Sequence, residues 1–100
     1  MKCTLSTIAL LISLTPFAAV HAAGNAAAGK AAAAACAECH GDNGEGLEAP
    51  KIAGLKESEL LQAMQDYKSG KRADASMKTA MSKLSDQDLA NLAAYYASLK

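Results

Sequence analysis

The chain has 100 residues, which is room for one small domain. Ten Lys and Arg side chains balance ten Asp and Glu side chains, so the formal net charge is zero. Nucleic-acid-binding domains usually show a strong basic excess, and this composition therefore argues against a nucleic-acid partner.

The first 22 residues predict a secretory signal peptide. Lys2 supplies a positive start, an apolar stretch runs from Ile8 to Val20, and small residues follow. This order is typical of a leader that is removed, here after Ala22 or Ala23. The apolar run is shorter than the roughly 20 residues of a transmembrane helix, so we expect no integral membrane span after cleavage. The alternative is an uncleaved N-terminal anchor.

The predicted domain, residues 23–100, is poor in large apolar side chains. It contains no Trp and no Phe, much of its apolar content is Ala, and its net charge is −1. Ala buries little surface, whereas apolar burial stabilises by roughly 25 cal/mol per Å². Domains of this size usually need a disulfide, a metal or a cofactor. We therefore expect a large apolar cofactor to complete the core.

The stretch from Asn25 to Cys39 is Ala-rich, which predicts an N-terminal helix running toward Cys36, because Ala has the highest helix propensity. The alternative for residues 24–28 is a low-complexity linker. Three Gly within Gly41–Gly46 then predict a loop.

A second helix is predicted from Lys56 or Ser58 to Ser69, where apolar side chains recur at spacings of three and four. Gly70 fits its C-terminal cap. A polar connection follows, and residues 76–81 are expected to form a short helical piece.

The last helix has the clearest boundaries. Ser85 predicts the N-cap, and Asp88 three residues later completes a capping-box pattern. No segment alternates as a strand does, so the fold class is predicted to be all-α, with three main helices and long loops. The apolar face of this last helix comprises Leu89, Leu92, Ala93, Tyr96 and Leu99.

The sequence Cys36-Ala37-Glu38-Cys39-His40 is a signal for covalent haem attachment. Two thiols three residues apart lie on one side of a turn, where they match the two vinyl groups of haem. His40 follows directly, so its imidazole can bind the iron.

Three other interpretations of this motif are weaker. A thioredoxin-like redox pair needs a βαβ setting, which is not predicted here. A structural zinc site needs four protein ligands, and residues 23–100 offer Cys36, Cys39 and His40. A disulfide is conceivable in an exported protein, but it leaves His40 and the underfilled core unexplained.

A second axial ligand has to be His or Met in an ordinary low-spin electron carrier. No second His remains after the leader, so the candidates are Met64, Met77 and Met81. Met64 lies on the apolar stripe of the second helix, where Met is more often a core residue. Met77 and Met81 lie in the segment before the last helix, which could cross the open haem face.

The chain resembles a small class I bacterial cytochrome c, of the c5/c553 and c4-domain type. The resemblance extends over the whole predicted domain, and its pieces occur in the order of the family. They are Cys36 to Gly41 with Gly44, Pro50 to Gly54, Tyr67 to Gly70, Met77 before Leu84-Ser85-Asp86, and Ala93 to Tyr96.

The resemblance implies one covalent haem c, attached at Cys36 and Cys39, with an iron bound by His40 and Met77. Met81 is the second choice for the methionine ligand. The resemblance also implies that the Pro50 carbonyl accepts a hydrogen bond from the His40 ring, a contact that would fix the ring tautomer.

Two apolar positions, Ile52 and Leu55, match family positions that line the haem edge. The resemblance further implies a class I cytochrome c fold, in which three main helices and loops wrap around the haem.

An iron with two protein ligands suits electron transfer and not substrate chemistry. We therefore expect a periplasmic one-electron carrier and not an enzyme. Its expected redox partners are a dehydrogenase, an oxidase or a reductase. It is expected to be a monomer or a subunit of a redox complex. Alternatives are the haem subunit of a dehydrogenase such as a sulfide-oxidising flavocytochrome, a ligand sensor or enzyme with an open iron, and a disulfide-bonded interaction module.

A small basic cluster is formed in sequence by Lys68, Lys71 and Arg72. It could steer an acidic partner toward the haem edge. The favoured alternative is an ordinary solvated face.

Overall fold

The computed structural model describes residues 23–100, so the predicted signal peptide lies outside the described residues. The described part is entirely helical between its loops and contains no strand. None of its helices has the length and apolar character needed to cross a membrane. Its elements are α1 (Ala26–Ala32), α2 (Ala34–His40), α3 (Glu57–Ser69), α4 (Ala75–Ser82) and α5 (Asp86–Ser98).

The predicted first helix is divided in two at Ala33. The Ala33 N–H bonds to the Lys30 carbonyl at 3.3 Å, and the Cys36 N–H bonds to the Ala33 carbonyl at 3.0 Å. These contacts span three residues and tighten the backbone locally. The linker alternative for residues 24–28 is wrong from Ala26 onward, because the Asn25 side chain caps α1 by accepting from the Ala28 N–H at 3.1 Å.

The helix α1 packs against α5, and Gly29 makes this contact possible. A Cβ atom at Gly29 would lie 2.0 Å from the Asn91 carbonyl oxygen, so the two backbones approach too closely for any side chain. The Asn25 N–H also donates to the Asn91 side chain at 2.8 Å. The two helices therefore form one unit from which α2 and its Cys-Ala-Glu-Cys-His sequence extend.

The predictions for the second and last helices are confirmed. Helix α3 begins at Glu57 and ends at Ser69, and its C-cap is Gly70, whose φ of +84° suits a residue without a side chain. Helix α5 has the complete capping box of Ser85 and Asp88. The short piece predicted over 76–81 is α4, which is one residue longer at each end.

The core lies along α5, against α1 and α3. Four of the five side chains on the predicted apolar face are buried, and Leu99 is half-buried. Around them pack mostly small or partly exposed apolar residues, among them Ala33, Leu60, Leu61 and Met64. The core is thus thin on the side of α3 and α4, where the molecule is open.

Candidate functional site: a cleft lined by the Cys-Ala-Glu-Cys-His motif and two methionines

A cleft of about 850 Å³ opens among α2, α3, α4, α5 and the loop after His40. Its volume lies within the range of about 300–1,000 Å³ that is typical of cofactor and small-molecule sites. Much of its wall is apolar, with Ala32, Leu60, Ala63, Met64, Leu84 and Leu92 among the lining residues.

The motif residues all line this cleft. Cys36 and Cys39 are one helical turn apart on α2, so their side chains share a face, and neither is in a disulfide. Cys36 is half-buried and Cys39 is exposed. Burial raises the pKa of the Cys36 thiol, and the nearby Tyr96 hydroxyl lowers it in part. The two sulfurs therefore differ in accessibility, although both face one cavity.

His40 is buried, with 8% of its surface exposed, and its ring is fixed by Pro50. The His40 Nδ1 atom lies 2.8 Å from the Pro50 carbonyl oxygen. A carbonyl can only accept, so Nδ1 is the donor, and in the neutral ring Nε2 keeps its lone pair for another bond. This hydrogen bond is the one that the family resemblance implied.

The loop that carries Pro50 is folded back onto the motif by backbone hydrogen bonds. The Gly46 N–H bonds to the His40 carbonyl at 2.7 Å, and the Ala49 N–H bonds to the Cys39 carbonyl at 3.0 Å. Gly44, with φ of +68°, sits against Tyr96, where a Cβ atom would lie 2.8 Å from the ring. The loop is therefore held on both sides, and the Pro50 carbonyl is presented to the imidazole.

Met77 and Met81 both line the cleft from α4. They are four residues apart and thus share a helix face. Met81 is almost completely buried, with 1% exposure, whereas Met77 is half-buried. Met64 also lines the cleft, from α3. The structure therefore brings all three candidate thioethers to the cavity that contains His40.

The two predicted apolar contacts, Ile52 and Leu55, line the cleft at different depths. Ile52 is half-buried and packs against the core, whereas Leu55 is 43% exposed and lies at the rim.

Sequence reasoning did not assign three further lining residues, Tyr67, Arg72 and Tyr96, to the site. Tyr67 and Tyr96 belonged to apolar helix faces and to two pieces of the family resemblance, and neither signal gave them a role in the site. The Tyr96 hydroxyl is buried and has no hydrogen-bond partner within residues 23–100. The hydroxyl lies near Cys36. Burial is the larger cause that raises the pKa of Tyr96, and the neighbouring Cys36 is the next.

The interpretation of Lys68 as part of a solvated basic face is wrong. Its ammonium group donates to the Leu84 carbonyl at 2.6 Å and lies 3.5 Å from the Asp86 carboxylate. Arg72 also has a specific contact, since its guanidinium lies 4.8 Å from the centre of the Tyr67 ring. Lys68 therefore connects α3 to the start of α5, and Arg72 is stacked at the cleft.

The chemistry of the cleft fits a haem. Two free thiols at the correct spacing, a buried imidazole with an oriented lone pair, and thioethers on a separate helix meet in one largely apolar cavity. A zinc site is less well matched, because residues 23–100 contain no cluster of three His, Cys, Asp or Glu side chains in metal-binding arrangement.

Comparison with known proteins agrees with this chemistry. The family model described as Cytochrome c matches residues 26–100. The chain is 48% identical over 95 residues to cytochrome c4 of Pseudomonas aeruginosa, covering 93% of this chain and 47% of that protein. It is 40% identical over 81 residues to cytochrome c-554(548) of Halomonas halodenitrificans, covering 76% of this chain and 98% of that protein.

Among solved structures, reduced recombinant cytochrome c4 from Pseudomonas stutzeri superposes with a TM-score of 0.74 at 39% identity. The match covers 78% of this chain and 47% of that one. The chain thus spans about half the length of the cytochrome c4 relatives. The predicted all-α, class I cytochrome c fold is confirmed, and with it the implied covalent haem c and its iron. The chain belongs to the cytochrome c family.

Proposed function

We propose that this protein is a one-electron carrier of the bacterial periplasm, with one haem c attached through Cys36 and Cys39 and its iron held between His40 and Met77. The observation that carries the proposal is the meeting of both thiols, the oriented imidazole and the methionine side chains in one cleft. When bound, the haem supplies a metal centre that cycles between the ferric and ferrous states.

The two cysteines serve as the covalent anchor. Their sulfurs form thioethers with the haem vinyl groups, and their spacing of one turn on α2 presents both to the same ring. Cys36 is half-buried and Cys39 is exposed. This difference leaves one edge of the attachment site near solvent, which suits electron exchange with a partner at that edge.

His40 would hold the iron through Nε2, and its ring orientation is preset. The bond from Nδ1 to the Pro50 carbonyl leaves Nε2 free for the metal and would increase the electron density that the ring donates. The ring is already buried by the folded chain, so water does not compete with this bond.

Met77 is favoured over Met81 as the iron ligand because its side chain is more exposed. Met81 is packed into the core at 1% exposure, whereas the half-buried Met77 lies on the surface of the cleft. The Met77 N–H is held by the Asp74 side chain at 2.9 Å, which fixes the first turn of α4. The family pattern selects the same methionine.

With His40 and Met77 both bound, the iron would have no vacant position, which would favour electron transfer over reactions at the metal. Carbon monoxide binding to the reduced protein at neutral pH would contradict this coordination. Redox partners follow from the role of carrier, and the predicted leader supports export to the periplasm. N-terminal sequencing of protein recovered from the periplasmic fraction checks the export, with Ala23 or Gly24 expected as the first residue.

The ligand set is tested on protein produced with the haem maturation machinery. A haem stain on a denaturing gel reports the covalent bond, and the reduced-minus-oxidised spectrum reports the redox centre. Met77→Ala should lose the sulfur–iron charge-transfer band, while the matched control Met81→Ala should keep it. Loss of the band in Met81→Ala alone would transfer the assignment to that residue, and absence of stainable haem would overturn the function.

A further inference from the structure

Arg72 lies where the turn between α3 and α4 meets the mouth of the cleft. Its guanidinium is 4.8 Å from the centre of the Tyr67 ring, a distance at which a cation is attracted to an aromatic face. Its N–H donates to the Asp66 carbonyl at 3.1 Å, so the backbone is anchored as well. Arg72 forms no ion pair with a carboxylate of residues 23–100. Its planar hydrogen-bond donors are thus held in position without an anionic partner.

The charged groups around the cleft show how specific this position is. Arg72 and Lys83 are its lining Lys and Arg residues, and Glu48, Glu59 and Asp74 are its lining acids. The His40 ring already forms a hydrogen bond with the Pro50 carbonyl. A ligand that brings two further carboxylates into this largely apolar cleft adds negative charge that only a few cations can balance.

A haem is such a ligand, because it has two propionate groups on the half of the ring that does not bear the vinyl groups. Arg72 lies outside the helix that holds the vinyl-binding cysteines. Arginine pairs with a carboxylate through two parallel hydrogen bonds. The pair therefore neutralises the carboxylate charge and fixes the orientation of the carboxylate.

We propose that Arg72, held against Tyr67, is a positioning residue that pairs with a haem propionate. This inference rests on the proposed function, since it requires the haem to occupy the cleft. The pair would fix the orientation of the ring at the end distant from the thioethers. It would also place a fixed positive charge near the iron, which favours the reduced state.

Arg72→Gln in the haem-loaded protein tests this pair, with Lys71→Gln as the matched control. Lys71 is the adjacent residue, carries the same charge and is exposed like Arg72, but it does not line the cleft. The readout is the midpoint potential as a function of pH. Arg72→Gln should lower the potential more than Lys71→Gln. It should also move the propionate inflection to higher pH, because the carboxylate loses the cation that favours its charged form.

If the two variants give the same dependence of midpoint potential on pH, the inference is overturned. The haem stain would still show covalent haem in that case, so the proposed function would stand. Lack of haem in the wild-type protein would instead defeat the proposed function. If the Arg72→Gln variant does not accumulate, NMR of the guanidinium N–H groups of wild-type Arg72 tests the pair instead. The pair predicts signals that are protected from solvent exchange and that shift as the propionate titrates, whereas rapid exchange at all pH values contradicts it.

Discussion

The Lys68 ammonium group donates a hydrogen bond of 2.6 Å to the backbone carbonyl of Leu84, which immediately precedes the cap of α5. The Lys68 side chain is one third exposed, so solvent weakens the interaction. After that discount, we expect Lys68→Met to lower the free energy of unfolding by about 1 kcal/mol. Lys71→Met, which removes the same charge at an exposed site, should change it by less than about 0.5 kcal/mol. Denaturant titration measures both, and equal losses would contradict a specific role for Lys68.

Gly44→Ala is expected to destabilise the protein more than Gly70→Ala. Both positions have positive φ, of +68° and +84°, so each pays a backbone cost of about 1–2 kcal/mol. At Gly44 the new methyl group also meets the Tyr96 ring at 2.8 Å, whereas at Gly70 it meets only the mobile end of Lys78 at 3.3 Å. Overpacking should add about 1–3 kcal/mol at Gly44. Thermal melts of the two variants, compared at equal haem content, measure the difference, and identical melting temperatures would argue against the Gly44–Tyr96 contact.

The capping box predicts a pH-dependent contribution from Asp88. The Ser85 N–H donates to its carboxylate at 2.9 Å, and the Ser85 backbone and side chain together hold the pKa of Asp88 below its ordinary value. A depressed folded-state pKa gives stability that is present above the unfolded pKa, about 4, and is lost as pH falls through the folded value. Asp88→Asn should therefore be less stable than wild type at neutral pH, and the gap should close in acid. Urea titrations across this range check it, and a gap that does not vary with pH would mean that charge is not its cause.

Tyr96→Phe is expected to leave stability unchanged or to raise it slightly. The Tyr96 hydroxyl is buried and has no partner within the described residues, so its removal relieves a desolvated polar group. The ring, which packs against Gly44, is retained. A loss of more than about 1 kcal/mol on chemical unfolding would show that the hydroxyl has a partner in the haem-loaded protein.

The sequence was most informative where the determining contacts are local. Ser85 and Asp88 are three residues apart and cap the helix between them, so the start of α5 was predictable. The interruption at Ala33 was not, because every residue from Ala31 to Ala35 is the same and no local signal marks the break. The His40–Pro50 contact followed from the family pattern, since the two residues are ten positions apart across an irregular loop.

The roles of Lys68 and Arg72 were hidden for a different reason. The partner of Lys68 is a backbone carbonyl, which has no sequence signature, and it lies 16 residues away. Arg72 is adjacent to Lys71 in sequence, yet only Arg72 lines the cleft. The sequence alone shows two neighbouring cations, and the direction of the chain after Gly70 decides which of them reaches the site.

The Lys68–Leu84 bond also closes the chain on itself. The segment between the two residues contains α4 with Met77 and Met81, and this bond joins its two ends. The methionine side of the site therefore lies on a segment whose ends are joined by a side-chain hydrogen bond, whereas on the histidine side the loop is joined to Cys39 and His40 by backbone hydrogen bonds.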